Sequence, residues 1–287
     1  MEWLDAIESL FKKAVECVCD SEVGVIFSSG VDSALVAFAA SDYADVTAYT
    51  VGVEGSKDVE YARRVEETAP FKIKYIDLSE DDVESLIPTI ISISGSRSPI
   101  DVGVGIPFFC ASKAASSDGF KALSCGQGGD ELFGGYWRYL ECMVSDGPDA
   151  VAAWMEKDWA NAYKDNLDRD IAMNKSNRVE LRFPYLNREF SDYVRKMPID
   201  LKIREGADIL CDEVGGRMFA RKYALKKLAL KMGVPEYLVN RLKKAAQYGS
   251  GTNKTLDKIA RKNGYPLKAR EVGRGDYLKM FLEELKT

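Results

Sequence analysis

Two short segments of this chain place hydroxyl, carboxylate and glycine residues where they could bind a phosphate group. The first, Ser28-Ser29-Gly30-Val31-Asp32-Ser33, separates two apolar runs. If those runs form a strand and a helix, backbone N–H groups and hydroxyls converge at a helix N-terminus, whose dipole favours an anion. Gly30 lets the chain approach a ligand closely, and Asp32 is placed to hold Mg²⁺. The alternative is a plain helix cap, which also favours Ser and Asp.

The second segment is the glycine-rich stretch from Ser124 to Tyr136. A backbone without side chains can come close to a nucleotide, while Asp130 and Glu131 present carboxylates to a cation or to an incoming amine. The alternative is a glycine-rich loop that only turns the chain.

The sequence contains no histidine. This excludes a Ser-His-Asp or Cys-His nucleophile pair, a histidine-held zinc ion and an imidazole base. Catalysis must therefore use carboxylates, Lys, Arg, Tyr, backbone amides and a bound cation. The six cysteines contain no C-x-x-C pair, which favours buried thiols over a disulfide framework or a zinc site.

Composition indicates a globular protein, with 287 residues, 46% apolar and 30% charged. No apolar run reaches the roughly 20 residues of a membrane helix, and the N-terminus is acidic where a signal peptide is basic, so we expect a cytoplasmic protein without a membrane partner. Residues 215–287 carry 18 Lys and Arg against 6 Asp and Glu, within an overall net charge of −5. This basic segment is either a solvated surface, a site for a phosphate-rich ligand or a nucleic-acid contact.

The elements that must position these residues alternate between strand and helix. An amphipathic helix is predicted from Trp3 to Val18. Strands are predicted at 23–27, 46–53, 72–78 and 121–124, and helices at 34–40, 59–67 and 106–115. This alternation predicts an α/β fold with a doubly wound parallel sheet. After Tyr139 the strand pattern stops, so we predict a core at 1–141 and a mostly helical half at 142–287, which completes the cleft of one compact unit at the carboxyl ends of the strands.

The first segment resembles the S-G-G-x-D-S loop of the PP-loop ATP pyrophosphatases, which have the adenine nucleotide α-hydrolase-like fold and cleave ATP to AMP and pyrophosphate. The second resembles the S-G-E-G-x-D-E-x-F-G-G-Y segment in the synthetase domain of the asparagine synthetases. Two more segments extend the resemblance: Val179 to Leu186 is similar to V-E-x-R-x-P-F-L, and Arg241-Leu242-Lys243 to R-x-K.

The resemblance implies a set of site residues. Nucleotide binding falls to Ile26, Ser28, Ser29, Gly30, Asp32, Ser33, Val51, Gly126 and Gly128, with Ile26 and Val51 beside the adenine. Asp32 and Asp130 would hold Mg²⁺. The implied catalytic residues are Gln127, Asp130, Glu131, Arg182 and Lys243, with Lys243 over the ATP phosphates and Arg169 and Glu180 bracing the cleft.

Four features depart from the resembled family. Glu2 stands where the glutaminase domain of the asparagine synthetases has its nucleophilic cysteine, so we expect free ammonia, a separate glutaminase subunit or another amine. Gln127 replaces a glutamate of many members, and an amide can hold a nucleophile but cannot take its proton. Glu131 or Glu180 is a candidate substitute. Ser29 replaces a glycine and Asn187 an aspartate, which bears on whether aspartate is the acceptor.

The sequence thus predicts an ATP- and Mg²⁺-dependent amidoligase. Such an enzyme adenylates a carboxylate, aspartate by default, releases pyrophosphate and then transfers ammonia. One alternative is a PP-loop enzyme that adenylates a base in tRNA, which would use the basic segment. The other is a catalytically degenerate nucleotide-binding protein. A homo-oligomer is also expected.

Overall fold

A parallel five-stranded sheet forms the centre of the protein, seen in a computed structural model that describes residues 2–242 and 244–285. Its strands are β1 Glu22–Ile26, β2 Asp45–Val53, β3 Lys72–Leu78, β4 Ala122–Ser124 and β5 Glu180–Arg182. They lie in the order β3-β2-β1-β4-β5, and every neighbouring pair is parallel. The predicted α/β fold with a doubly wound parallel sheet is confirmed.

The helices before β5 include the four that the sequence analysis predicted, together with others that it did not. They are α1 Glu2–Glu16, α2 Val31–Ala40, α3 Lys57–Glu66, α4 Glu80–Ser94, α5 Pro99–Ser117, α6 Gly129–Phe133, α7 Trp137–Ser145, α8 Pro148–Ala162 and α9 Asp168–Ser176, with a π-helical turn at Tyr163–Leu167. Helix α4 is missing from the prediction, and α5 begins seven residues earlier than predicted.

The later part of the chain is mostly helical, but after β5, which the sequence analysis also missed, it contains three further strands that were not predicted. They are β6 Ile203–Glu205, β7 Asp212–Val214 and β8 Arg217–Arg221, which form a small antiparallel sheet in the order β6-β8-β7. The remaining helices are α10 Arg188–Arg195, α11 Ile199–Lys202, α12 Tyr223–Lys231, α13 Glu236–Val239, α14 Ala246–Gly249, α15 Thr252–Lys262, α16 Tyr265–Glu271 and α17 Tyr277–Glu284, with a 3₁₀ turn at Pro184–Leu186.

The expectation that the strand pattern stops after Tyr139 is therefore wrong. The missed strands are three to five residues long, too short to show a clear alternation. Strand β5 also lies beyond the boundary predicted near residue 142, yet it pairs with β4 in the main sheet. The division into 1–141 and 142–287 stays a prediction.

Two apolar cores cover the two faces of the main sheet. Val46 and Ala48 of β2 pack into the first core with α1 and α2, whereas the alternating Tyr49 and Val51 pack into the second with α4 and α5. This is the two-sided burial expected of a parallel sheet. No helix in the described ranges is long and apolar enough to cross a membrane.

The cysteine side chains are free thiols. Cys110, Cys125 and Cys142 are buried as expected, but Cys17 is exposed. Cys17 follows the last turn of α1, where the chain turns toward β1 at the surface.

The connection order creates a switch point between β1 and β4. The chain leaves β1 in one direction toward β2 and β3, then returns through α4 and α5 to place β4 on the other side of β1. The loops that follow β1 and β4 therefore diverge to opposite faces and leave a crevice at the carboxyl ends of these strands. Both segments selected from the sequence, residues 28–33 and 124–136, lie at this crevice.

Candidate functional site

A cavity opens at the switch point between β1 and β4. Its wall includes residues from the ends of β1 and β2, the turn after β4, and the basic later part of the chain. The predicted site residues on the wall are Ile26, Ser28, Gly30, Asp32, Ser33, Val51, Gly126, Gln127 and Asp130. The structure thus brings most of the predicted residues to one place, and the later part of the chain closes the carboxyl end of the sheet.

Two serines of the loop between β1 and α2, Ser28 and Ser33, line the cavity. Ser33 Oγ accepts a hydrogen bond from Ser28 N at 3.2 Å and donates to Gly30 O at 3.1 Å. The N-cap residue of α2 is Gly30, and no side chain makes a capping hydrogen bond there. The loop is therefore not a plain Ser or Asp helix cap, and its polar atoms are arranged around the mouth of the helix.

Ser29 adopts the strained conformation of this loop. Its φ of 51° lies in the left-handed region, which explains the glycine in the resembled motif. Two hydrogen bonds hold the buried Ser29 hydroxyl, which donates to Asp58 O at 2.7 Å and accepts from Arg241 Nη1 at 3.0 Å. The replacement of glycine by Ser29 thus gains local hydrogen bonds that offset the backbone strain.

Arg241 anchors the loop from the later part of the chain. Its guanidinium donates to Ser28 O at 2.6 Å and pairs with Asp58 at 2.6 Å, both side chains being about 6% exposed. Burial raises the pKa of Asp58 to about 6 although Arg241 opposes that shift. The arginine of the Arg241-Leu242-Lys243 segment therefore supports the loop. Lys243, which the resemblance placed over the phosphates, lies outside the described residues.

Lys222 lies between Asp32 and Asp130, the two carboxylates that were predicted to hold Mg²⁺. Its Nζ lies 2.5 and 2.6 Å from the carboxylate oxygens of Asp32 and 2.7 Å from Oδ1 of Asp130. The side chain of Lys222 is only 4% exposed. Burial opposes its charge, but the two carboxylates outweigh burial and hold the pKa of Lys222 above its usual value. The sequence analysis missed this lysine.

Two glycines make this charge cluster possible. A Cβ at Gly129 would overlap Oδ1 of Asp32, and a Cβ at Gly135 would overlap both Oδ1 of Asp130 and Cε of Lys222. Any other residue would push the carboxylates and the ammonium apart. The glycines after β4 thus allow a close approach, as expected, but between side chains of the protein itself.

The same carboxylates fit a divalent cation. Within residues 2–242 and 244–285, no group of three or more Cys, Asp and Glu side chains could hold a metal ion. Asp32 and Asp130, however, both contact the Lys222 ammonium, and both are partly exposed at the cavity wall. Mg²⁺ in nucleotide sites is commonly held by one or two carboxylates together with phosphate oxygens and water. The donor set therefore fits Mg²⁺ bound jointly with a phosphate ligand.

An apolar slot adjoins the phosphate-binding loop. It is formed by Ile26 at the end of β1, by Tyr49 and Val51 in β2, and by Pro107 and Phe108 in α5. A flat apolar ring could enter here while its polar substituents face the loop. The slot and the charge cluster lie in one continuous cavity.

Lys226 and Arg221 form a basic side of the cavity that the sequence analysis did not identify. Lys226 is 7% exposed and lines the cavity, where its Nζ donates to Leu210 O at 3.2 Å. Burial lowers the pKa of Lys226 to about 8. Arg221, also on this wall, is held by Asp212 at 2.8 Å and by Gly135 O at 2.9 Å. Part of the basic segment therefore faces the cavity, where it can attract an anionic group.

Gln127 lies on the cavity wall and donates a hydrogen bond from Nε2 to Asp170. Asp170 is fully buried and accepts from Arg169 Nε at 2.8 Å. Burial raises the pKa of Asp170 above its usual value, while Arg169 and Gln127 oppose that shift. The position that resembles a family glutamate is thus an amide backed by a carboxylate of α9.

Other predicted residues lie behind or away from the cavity. Buried Glu131 accepts from Tyr136 Oη at 2.5 Å and from Asn166 Nδ2 at 3.2 Å. Gly128, with φ 93°, packs against Leu186. Neither Glu131 nor Gly128 belongs to the cavity wall as far as the described chain defines it.

Arg182 and Glu180 pair with each other at 3.2 Å, and Arg182 also pairs with Asp20 at 2.9 Å. They too stand apart from the described cavity wall. Asn187 Oδ1 accepts from Phe190 N at 3.3 Å and so caps α10. Asn187 thus has a structural role at the start of α10, a role that an aspartate could also fulfil.

Similarity to known proteins extends over nearly the whole chain. The family model described as Asparagine synthase matches residues 6–149 and 143–286. The protein named "Putative asparagine synthetase (glutamine-hydrolyzing) 1" of Methanocaldococcus jannaschii is 35% identical over 93% of this chain and 52% of its own length. "Probable asparagine synthetase (glutamine-hydrolyzing)" of Dictyostelium discoideum is 25% identical over 82% of this chain and 44% of its own. The chain therefore spans about half the length of these curated relatives.

Proposed function

Because the chain belongs to the asparagine synthase family, we propose that it uses ATP to activate a carboxylate and then joins ammonia to it, with aspartate as the first acceptor to test. The observation that carries this proposal is the convergence of Asp32, Asp130 and Lys222 beside the hydroxyl-rich loop, at one end of an apolar slot. Such a cavity accommodates a flat base at one end and a charged phosphate chain at the other.

The nucleotide would lie across the switch point. In this arrangement the adenine occupies the slot between Ile26 and Val51, and the phosphates lie against Ser28, Gly30 and Ser33. The N-terminus of the ten-residue helix α2 adds partial positive charge at that position. Asp32 and Asp130 would hold Mg²⁺, which supplies positive charge to the phosphate oxygens when bound.

The first step needs orientation and charge stabilisation. An oxygen of the substrate carboxylate attacks the α-phosphorus of ATP, and the bond from that phosphorus to the bridging oxygen of pyrophosphate breaks. The Lys222 ammonium lies where it can offset the negative charge of the departing pyrophosphate. This step requires no histidine, which agrees with the composition of the chain.

In the second step ammonia attacks the carbonyl carbon of the acyl-adenylate. A carbon–nitrogen bond forms, the carbon–oxygen bond to AMP breaks, and one proton leaves the nitrogen. The anionic part of the acceptor would lie toward Lys226, on the basic side of the cavity. A positive side chain there favours an acceptor that carries a second negative group, as aspartate does.

The other two functions considered from the sequence receive less support. Adenylation of a base in tRNA is not favoured by the similarity to asparagine synthetases. Many basic side chains of the later part form ion pairs at the surface, for example Lys231 with Asp5 and Glu8. A degenerate nucleotide-binding protein is disfavoured because Asp32, Asp130 and the loop hydroxyls are all present at the cavity.

The proposal is tested by pyrophosphate release from ATP and Mg²⁺ with a panel of carboxylic acids led by aspartate, each with and without ammonium. Mass spectrometry of the products identifies the amide. We expect pyrophosphate, AMP and asparagine when aspartate and ammonium are both present. Pyrophosphate release with tRNA alone, or no release with any acid, would contradict the proposal.

A further inference from the structure

A single residue, Lys222, connects the central strand of the small antiparallel sheet to helix α12. Strand β8 ends at Arg221 and α12 begins at Tyr223, so the chain changes from strand to helix within one residue. Lys222 makes this change with φ 56° and ψ 36°, in the left-handed region. A side chain other than glycine crowds the backbone there, so the conformation persists only where neighbouring contacts enforce it.

Arg221 makes contacts of this kind on the strand side. Its guanidinium donates from Nε to Oδ2 of Asp212 at 2.8 Å and from Nη2 to Oδ1 of Asp212 at 3.0 Å. The third nitrogen, Nη1, donates to Gly135 O at 2.9 Å. Asp212 is the first residue of β7, which pairs with β8, whereas Gly135 lies in the turn that follows α6. One planar guanidinium thus ties the end of β8 to two separate segments.

The carbonyl that accepts from Arg221 belongs to the residue against which Lys222 packs. A Cβ added at Gly135 would overlap Cε of Lys222 and Oδ1 of Asp130, so the Gly135 backbone lies directly beside both side chains. Gly135 N also donates to Asp130 O at 2.9 Å. Arg221 therefore fixes the backbone of Lys222 through the peptide chain, and it fixes the surroundings of the Lys222 ammonium through Gly135.

Strand β8 contains a second arginine pair that differs in its environment. Arg217 donates to both carboxylate oxygens of Glu205, at 2.8 and 2.6 Å, and these side chains are 44% and 49% exposed. Arg221 and Asp212 have the same two-bond geometry but are 12% and 15% exposed, and both lie on the cavity wall. Exposed ion pairs contribute little, whereas a shielded pair with two parallel hydrogen bonds holds its partners in a defined geometry.

We propose that Arg221 and Asp212 are positioning residues for Lys222. The Arg221 guanidinium, oriented by Asp212, holds the strained backbone at Lys222 and thereby keeps its ammonium beside the phosphate-binding loop. This inference rests on the proposed function, in which Lys222 offsets the charge of the departing pyrophosphate. It gives the small antiparallel sheet a role in that step, although the sheet is remote in sequence from the loop.

An alternative role for Arg221 is direct attraction of an anionic ligand, since it lies on the cavity wall. The contacts favour positioning, because each nitrogen of the guanidinium donates to the protein and the Asp212 carboxylate balances its charge. Arg221→Lys separates the two roles. Lysine retains the positive charge, but its ammonium does not reproduce the planar fork that contacts Asp212 and Gly135 together.

The test measures the binding of pyrophosphate in MgCl₂ to the whole chain by titration calorimetry, which requires no turnover. We expect Asp212→Asn to raise the Kd for pyrophosphate about tenfold, the effect of losing one charge-assisted hydrogen bond. The Kd for AMP should stay within about twofold of the wild type, because AMP lacks the β- and γ-phosphates. Arg221→Lys should give both results and replaces Asp212→Asn if that variant does not fold.

A double-mutant cycle shows whether the effect passes through Lys222. In the Lys222→Met background the ammonium is absent, so Asp212→Asn should change the Kd for pyrophosphate by less than about twofold. Glu205→Gln is the matched control, since it weakens the exposed arginine pair of the same strand. It should bind pyrophosphate as the wild type does.

Three results would overturn the inference: an effect of Asp212→Asn that is equally large in the Lys222→Met background, wild-type binding by Arg221→Lys, or an equal loss in Glu205→Gln. A wild type that binds no pyrophosphate would also overturn it. If the expected coupling is found but the wild type releases no pyrophosphate from ATP with any carboxylic acid, the proposed reaction is rejected and the position assigned to Lys222 is supported.

Discussion

Replacement of Lys222 by methionine is the substitution whose outcome follows most directly from the site geometry. Lys222 Nζ lies 2.5 to 2.7 Å from oxygens of Asp32 and Asp130, and its side chain is 4% exposed. Methionine retains most of the length of the lysine and loses its charge. The two carboxylates then face each other without the ammonium between them, so we expect Lys222→Met to be less stable than the wild type in the absence of divalent cations.

The size of the effect follows from the burial of the three groups. Removal of one partner from a buried ion pair costs roughly 3–5 kcal/mol. Asp32 and Asp130 keep 22% and 23% exposure, so water relieves part of this penalty. A loss of about 2–3 kcal/mol is therefore expected, which lowers Tm by roughly 3–5 °C for a chain of 287 residues.

Mg²⁺ should reduce the difference in Tm between Lys222→Met and the wild type. In the wild type the ion must displace Lys222 from the two carboxylates, whereas in Lys222→Met the position between Asp32 and Asp130 is free of that competition. Because a ligand stabilises the folded state in proportion to RT ln(1 + [L]/Kd), MgCl₂ should raise the Tm of the variant more than that of the wild type. Calorimetry with and without MgCl₂ measures both effects.

Lys227→Met is the control for this experiment, since Lys227 lies in α12, which begins directly after Lys222, and pairs with the exposed Asp208. It should change Tm little and respond to Mg²⁺ as the wild type does. Equal stability of Lys222→Met and the wild type, or an equal response of both to Mg²⁺, would show that Lys222 does not hold the two carboxylates together or compete with the ion.

Two other predictions follow from the cavity wall. Gly135→Ala should abolish pyrophosphate release while leaving most of the fold intact, because the new Cβ overlaps Oδ1 of Asp130. Circular dichroism measures the fold and the pyrophosphate assay measures the activity. Activity near that of the wild type would contradict this prediction. The charge of Lys226 should be lost as the pH rises through about 8, so the KM for aspartate in the pyrophosphate-release assay should increase there. Lys226→Met should show a high KM for aspartate at every pH. If the KM of this variant kept the pH dependence of the wild type, another group would be responsible for that dependence.

Four of the five strands of the main sheet could be predicted from the sequence, since β1 and β2 are largely buried apolar runs, whereas the three-residue β5 was missed. Residues 72–78 were predicted with the observed bounds, the predictions for β2 and β4 differ by one residue at one end, and that for β1 differs by one residue at each end. Helix α4 was missed because Pro88 interrupts an Ile-rich run that lacks clear helical spacing. The capping box formed by Ser79 and Asp82 was the available indication of that helix.

The loop residues of the site could be predicted because each motif is continuous in sequence, whereas its partners could not. Lys222 is 190 residues from Asp32 in the sequence. Its φ of 56° is left-handed, a conformation that a glycine or asparagine would have indicated but that a lysine does not. Asp170 likewise meets Gln127 only through the packing of α9. Such contacts depend on tertiary structure, which a local pattern of residue types does not contain.

The proposed adenylation of a carboxylate in this cavity can be tested by incubation of the protein with ATP, Mg²⁺, ammonium and aspartate labelled with ¹⁸O in its side-chain carboxylate, followed by mass spectrometry of the nucleotide product. Attack of the carboxylate on the α-phosphorus predicts AMP that carries one ¹⁸O atom, together with asparagine. Unlabelled AMP, or ADP as the nucleotide product, would show that the carboxylate does not attack the α-phosphorus.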